Sequence, residues 1–166
     1  VDAKIDEVLE KIKKYNLDGV QLHGNESREF LLQLKVKCHA EPVEAQSKDR
    51  QPLKLIKVFF IKDNFDFEEL KPYEEVCDYY LFDTKGKLPG GNGYTFNWEV
   101  LKNYPSNKPY FLSGGIGLEE INSIKEFLQR PESKYCHAID VNSRFEIEPG
   151  LKEIAKLKEF RNYFPL

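Results

Sequence analysis

Residues Tyr110 to Ser143 read YFLSGGIGLEEINSIKEFLQRPESKYCHAIDVNS. Tyr110-Phe111-Leu112 is a short apolar, aromatic-rich run of the kind that forms a buried strand. It enters Ser113-Gly114-Gly115, where paired glycines mark a sharp turn. Ile121, Ile124 and Phe127 then recur at three-residue steps, which places them on one face of a helix. Ala138-Ile139-Asp140-Val141 reads as the next strand. Strand, crossover helix and strand in this order make a parallel pair, because two parallel strands need such a connection.

The same alternation fills the rest of the chain. Ile5, Val8, Leu9 and Ile12 line one helix face, with Lys4, Asp6, Glu7, Glu10, Lys11 and Lys14 on the others. Asn16 and Asp18-Gly19 end that helix, and Val20-Gln21-Leu22-His23 reads as a strand stopped by Gly24. A second helix is expected from near Asn25, with Phe30, Leu31 and Leu34 inward. Leu55 to Ile61 is a β-rich apolar run, Asp66-x-x-Glu69 is a helix-start signal, and Tyr79-Tyr80-Leu81-Phe82 is a further strand. Asn97 is a plausible N-cap for a short helix. Ile154, Leu157 and Phe160 mark a closing one. The fold class expected is therefore α/β with a parallel sheet, and the pattern alone does not decide between an open sheet and a closed barrel. Cys38 to Pro52 interrupts the rhythm between a helix and its strand, where connections usually take about 2–6 residues. It is expected to be an inserted surface loop.

All 166 residues are expected to form one domain. No apolar run approaches the roughly 20 residues of a membrane span. Lys and Arg number 25 against 28 Asp and Glu, for a net charge of -3, and they are dispersed. That excludes the basic face that attracts nucleic acid and points to a small-molecule partner. Cys38, Cys77 and Cys136 lack the spacing of a zinc site or a disulfide framework, which fits a reducing cytoplasm. The start at Val1, directly before a helical pattern, reads as a cut.

Ligands of parallel α/β folds bind beyond the carboxyl ends of the strands. The polar residues there are His23, Asp83, Ser113 to Gly115, and Asp140 with Asn142 and Ser143. Gly114-Gly115 before a helix lets backbone N–H groups approach an anion, although an ordinary glycine turn has the same sequence. Asp140 to Ser143 would add donors beside it, as in the phosphate sites that barrels build from their last two loops. Asp83 precedes the glycine-rich stretch Thr84 to Gly93 and could be a general acid under a mobile loop, or an aspartate that only caps local backbone or pairs with Lys85. His23 is either a substrate contact or a structural histidine. Lys57, among apolar residues, is expected to face a polar interior; a Schiff-base role is the remoter alternative. Trp98 beside Phe96 reads as core.

Gly19-Val20-Gln21-Leu22-His23-Gly24, Leu81-Phe82-Asp83-Thr84-Lys85, Gly90 to Trp98, Leu112-Ser113-Gly114-Gly115-Ile116 and Ile139-Asp140-Val141-Asn142-Ser143-Arg144-Phe145-Glu146, in this order, resemble phosphoribosylanthranilate isomerase. The resemblance runs from about Ile5 to Phe160. It implies a partial (β/α)₈ TIM barrel, with strands corresponding to the fourth through eighth and lacking the first three. It also implies an Amadori rearrangement in tryptophan biosynthesis without cofactor or metal. By resemblance Asp83 is the general acid that opens the furanose ring, Gly114, Gly115, Asn142 and Ser143 hold the substrate phosphate, and His23 and Asp140 line the same mouth.

The chain departs from this pattern in two ways. No Lys-Ile-Cys-Gly segment, which carries the family's general-base cysteine, is present, nor is the arginine expected for anthranilate. Arg144 stands where many relatives have glycine. An N-terminally truncated isomerase, inactive alone and open to self-association through its barrel edges, is therefore expected. The alternative is a non-catalytic phosphosugar-binding remnant or half of a split barrel.

Overall fold

The computed structural model describes residues 2–39, 52–62, 64–84 and 95–164. Five strands form one sheet in the order β1 (Gly19–Leu22), β2 (Lys54–Ile61), β3 (Tyr79–Thr84), β4 (Tyr110–Leu112) and β5 (Cys136–Ile139). β1 runs parallel to β2, and β4 to β5. Each strand lies beside its predecessor in the chain. A doubly wound sheet reverses its strand order at a switch point; this sheet does not, and it follows the sequential winding of a (β/α) barrel. The chain divides into two compact units, Val1–Phe59 with Glu68–Tyr80, and Phe60–Phe67 with Leu81–Leu166.

The first unit contains α1 (Ile5–Tyr15) and α2 (Arg28–His39). α1 carries Asp6 and Glu7 in its first turn and Lys13 and Lys14 in its last, complementing the helix dipole. It ends at Asn16, which adopts the left-handed conformation with φ 48°. Ser27 Oγ accepts the Phe30 amide at 3.2 Å, so α2 starts a few residues later than Asn25 suggested. Leu31 and Leu34 are fully buried and Phe30 partly so. The expected strand over Leu55–Ile61 is extended by one residue, to Lys54. The Asp66-x-x-Glu69 signal opens a 3₁₀ helix, Phe67–Tyr73, rather than an α-helix. Pro72 lies inside it and has no N–H with which to continue an α-helical ladder. Phe59 packs edge-on against Tyr73 and Tyr80, with ring centroids 5.5 and 5.4 Å away.

In the second unit, α3 (Ile121–Leu128) buries the expected Ile121, Ile124 and Phe127. Phe127 meets Trp98 at 5.7 Å between centroids, so Trp98 is core. Asn97 Oδ1 accepts the Glu99 amide and caps the 3₁₀ helix Trp98–Asn103. Phe82, Tyr104 and Tyr110 form an aromatic cluster, with centroids 5.1–5.7 Å apart. In α4 (Ile154–Tyr163), Phe160 is buried against Phe145 but Ile154 is 59% exposed, so the closing helix presents a narrower apolar face than its spacing suggested. An antiparallel hairpin, β6 (Glu146–Glu148) with β7 (Leu151–Lys152), turns at Pro149-Gly150, where Gly150 has φ +86°.

Of the proposed insert, Cys38 and His39 belong to α2 and Pro52 precedes β2; residues 40–51 lie outside the described residues, as do 85–93 of the glycine-rich stretch. No described helix is long and apolar enough to cross a membrane.

Candidate functional site

In the second unit, three consecutive strand ends converge. The Ser113 amide donates to Phe82 O at 2.9 Å and the Asp140 amide to Leu112 O at 2.8 Å, which extends the pairing of β3, β4 and β5 to the residues that matter. Asp83 lies within β3 rather than after it, one residue before the strand ends. Its Oδ1 accepts the Thr84 amide at 2.7 Å. Thr84 is buried, and its Oγ1 accepts the Phe96 amide at 3.1 Å. Gly114 and Gly115 both have positive φ, +92° and +65°. Two successive residues in this region need glycine. Ser113, only 6% exposed, donates its hydroxyl to Asp140 Oδ2 at 2.7 Å.

Asn142 and Ser143 follow β5. Asn142 precedes a 3₁₀ turn, Ser143–Phe145, and its carbonyl accepts the Phe145 amide at 3.0 Å. The structure adds Lys152, which the sequence did not single out: its ammonium donates to Asn142 Oδ1 and pairs with Glu146 at 2.6 Å. The hydrogen bond from Lys152 holds the Glu146 carboxyl below its ordinary range. Arg144 packs its Cβ near Gly117, and its Nε is buried without a hydrogen-bond partner. The long side chain is thus accommodated beside the loop that follows Gly115.

In the first unit, His23 is the residue immediately after β1. The Gln21 side-chain amide nitrogen lies 3.1 Å from its Nδ1. An amide NH₂ only donates, so the neutral imidazole that fits carries its proton on Nε2. Lys57 shares the face of β2 that holds Leu55, Phe59 and Ile61, and it is buried in an ion pair with Glu26 at 3.2 Å. Its donors go to the Glu26 carboxylate and the Gly24 carbonyl, so its polar surroundings come from the turn after β1.

None of the cysteines lies at the carboxyl end of a strand. Cys38 is in α2; Cys77 is buried, with its thiol donating to Tyr73 O at 3.3 Å. Cys136 opens β5, and burial pushes its thiol up to about 12. A thiol so shifted is protonated at neutral pH and is a poor base.

Comparison with known proteins gives the kinship of the chain. The family model for N-(5'-phosphoribosyl)anthranilate (PRA) isomerase matches residues 1–163. The chain is 43% identical over 160 residues to N-(5'-phosphoribosyl)anthranilate isomerase of Parabacteroides distasonis, covering 96% of this chain and 64% of that protein. It is 35% identical to the Phocaeicola vulgatus protein of the same name, covering 98% and 70%. The chain thus spans about two thirds of the length of these relatives. Among solved structures, phosphoribosyl anthranilate isomerase from Thermus thermophilus superposes with a TM-score of 0.72 at 21% identity, covering 98% of this chain and 68% of that one. The Pyrococcus furiosus structure gives 0.62 at 18% identity, covering 96% and 68%. Such distant structural likeness speaks for the fold, a TIM-barrel type, whereas the family match and the closer relatives speak for kinship. The chain belongs to the N-(5'-phosphoribosyl)anthranilate isomerase family.

Proposed function

We propose that this chain carries the acid and phosphate-binding parts of a phosphoribosylanthranilate isomerase, and that its five sheet strands take places four to eight of a (β/α)₈ barrel. The observation that carries the reading is the convergence, within one unit, of Asp83, the left-handed pair Gly114-Gly115 and Asp140 at the ends of adjacent strands. In this reading the phosphate of N-(5-phosphoribosyl)anthranilate seats on the amides of Gly114 and Gly115, with Asn142 and Ser143 beside them. That anchoring orients the ribose. Asp83 donates a proton to the furanose ring oxygen, the C1–O bond breaks, and the anilinic nitrogen's lone pair forms an iminium. A base then removes the C2 proton, and the resulting enolamine relaxes to the aminoketose, 1-(2-carboxyphenylamino)-1-deoxyribulose 5-phosphate. His23 and Asp140 contact the sugar.

The 166 residues contain no Lys-Ile-Cys-Gly segment, and the described thiols are unsuited to the task. The base is proposed to come from outside them, so that the chain alone neither turns over substrate nor remains monomeric: β1 and β5, the edges of the five-stranded sheet, would present unpaired backbone groups. The test is to assay the chain alone, then mixed with the part of the Parabacteroides distasonis relative that it does not cover, then with that part with every cysteine replaced by alanine. Turnover is expected only in the second assay. Turnover by the chain alone would place the base within these residues, and turnover restored equally by the alanine form would assign the base elsewhere.

A further inference from the structure

Lys57 interrupts an otherwise apolar face of β2 and is only 4% exposed. Its ammonium donates to Gly24 O at 2.7 Å, Glu26 Oε2 at 3.2 Å and Val58 O at 3.3 Å, which uses all three of its protons. The Phe59 and Tyr73 rings lie 5.7 and 5.9 Å from Nζ. Glu26, also buried, accepts the Gly24 amide on both carboxylate oxygens at 3.0 Å each. The Tyr73 hydroxyl closes the arrangement by donating to Glu26 O at 3.0 Å.

Burying two charges costs several kcal/mol per ion, and well-packed apolar residues in their place are often as stable or more so. Stability therefore gives no reason for this pair to be ionic. What it does that apolar side chains cannot is hold both backbone polar groups of Gly24, the N–H through Glu26 and the carbonyl through Lys57. The fit is close: a Cβ at Gly24 would stand 2.8 Å from Glu26 Oε1. His23 lies between Gly24 and Leu22, and Leu22 is the register partner of Lys57 in the β1–β2 pairing. Its backbone is thus fixed on one side by the ladder and on the other by the ion pair, and its ring is steered by Gln21.

We propose that Lys57 and Glu26 are positioning residues, a buried clamp that sets the turn after β1 and through it aims the Nε2–H of His23. That this N–H meets a substrate oxygen rests on the function proposed above; the clamp itself does not. The experiment uses the whole chain without substrate, in three forms: Lys57→Met, the apolar double variant Lys57→Met with Glu26→Leu, and Glu26→Gln. Thermal midpoint, Gly24 amide exchange and the ring ¹⁵N shifts of His23, assigned by their loss in His23→Gln, are read on each. Lys57→Met should lower the midpoint by several degrees. The double variant should recover most of that loss, yet show Gly24 exchange accelerated at least ~10-fold and His23 ring shifts moved toward a tautomer average.

Wild-type ring shifts and exchange in a well-folded double variant would reduce the pair to core packing and overturn the proposal. Should the double variant not fold, Glu26→Gln keeps the shape and must still displace the His23 signals, and unchanged signals there overturn it equally. Displaced signals together with an unaltered KM in the reconstituted enzyme would uphold the clamp while removing His23 from the substrate contacts.

Discussion

A Cβ placed on Gly114 would lie 2.8 Å from Asp83 Oδ1, and Thr84 would be closer still, with Oγ1 at 2.2 Å and its amide nitrogen at 2.4 Å. The loop after β4 therefore rests on the end of β3 with no room for a methyl group. The proposed acid and the proposed phosphate cradle touch, so a shift of one displaces the other.

Gly114→Ala should consequently be far more harmful than its small size suggests. The positive φ alone costs on the order of 1–3 kcal/mol, and pressing against the Thr84 backbone adds an overpacking cost of about 1–3 kcal/mol. Gly150 has a similar φ of +86° but nothing within 4 Å of an added Cβ, so Gly150→Ala isolates the conformational cost. Denaturant unfolding of both variants measures the difference. Equal losses would mean that the Gly114 loop can yield.

Ser113→Ala removes the hydroxyl that orients Asp140. A hydrogen bond to a charged group is worth about 1.5–3 kcal/mol, but Asp140 is only partly buried and water can take over part of the role, so a stability loss of about 1 kcal/mol is expected. In the reconstituted enzyme KM should rise more than kcat falls. The opposite split would move Asp140 from sugar binding to chemistry.

Local periodicity made most of the helices and strands legible in the sequence. The three-residue recurrence of Ile121, Ile124 and Phe127 and the apolar run to Ile61 gave α3 and β2 to within a residue or two, because local periodicity reports which face is buried. Strand ends were harder. Asp83 looked terminal because it is polar, yet a ladder is set by its partners and β3 continues through Thr84. Pro149-Gly150 carried a turn signal for the β6–β7 hairpin, but its strands are only three and two residues long. Pairs such as Ser113 with Asp140, 27 residues apart, and Lys57 with Glu26, 31 apart, leave no local pattern. A lone lysine in an apolar strand announces a buried partner without naming it.

Asp83→Asn keeps the shape of the side chain and removes the transferable proton. In the reconstituted enzyme turnover should fall by at least ~10²-fold, the usual contribution of a general acid, with KM little changed. Near-normal turnover would leave Asp83 a structural residue, one whose carboxylate accepts the Thr84 amide.

High pH should destabilise the fold in a way that Cys136 and Tyr110 make predictable. Burial pushes the Cys136 thiol up to about 12, and burial likewise raises the phenol of Tyr110, which donates to Glu132 O at 2.9 Å. Both groups keep their protons longer in the folded chain than in the unfolded one, where a thiol titrates near ~8.5 and a phenol near ~10. Above those values the unfolded state binds fewer protons than the native state, and the slope of stability against pH is negative. Their contribution is complete below pH ~8.5 and is lost as pH rises toward the folded values. Thermal midpoints measured from neutral to strongly alkaline pH should therefore decline, first through the thiol and then through the phenol. Cys136→Val should flatten the first part of the decline and leave the second. A variant curve parallel to the wild type would mean that the thiol ionises as readily folded as unfolded. It would not by itself make Cys136 a base, because the thiol opens β5 instead of ending a strand, and even an unshifted thiol is mostly protonated at neutral pH.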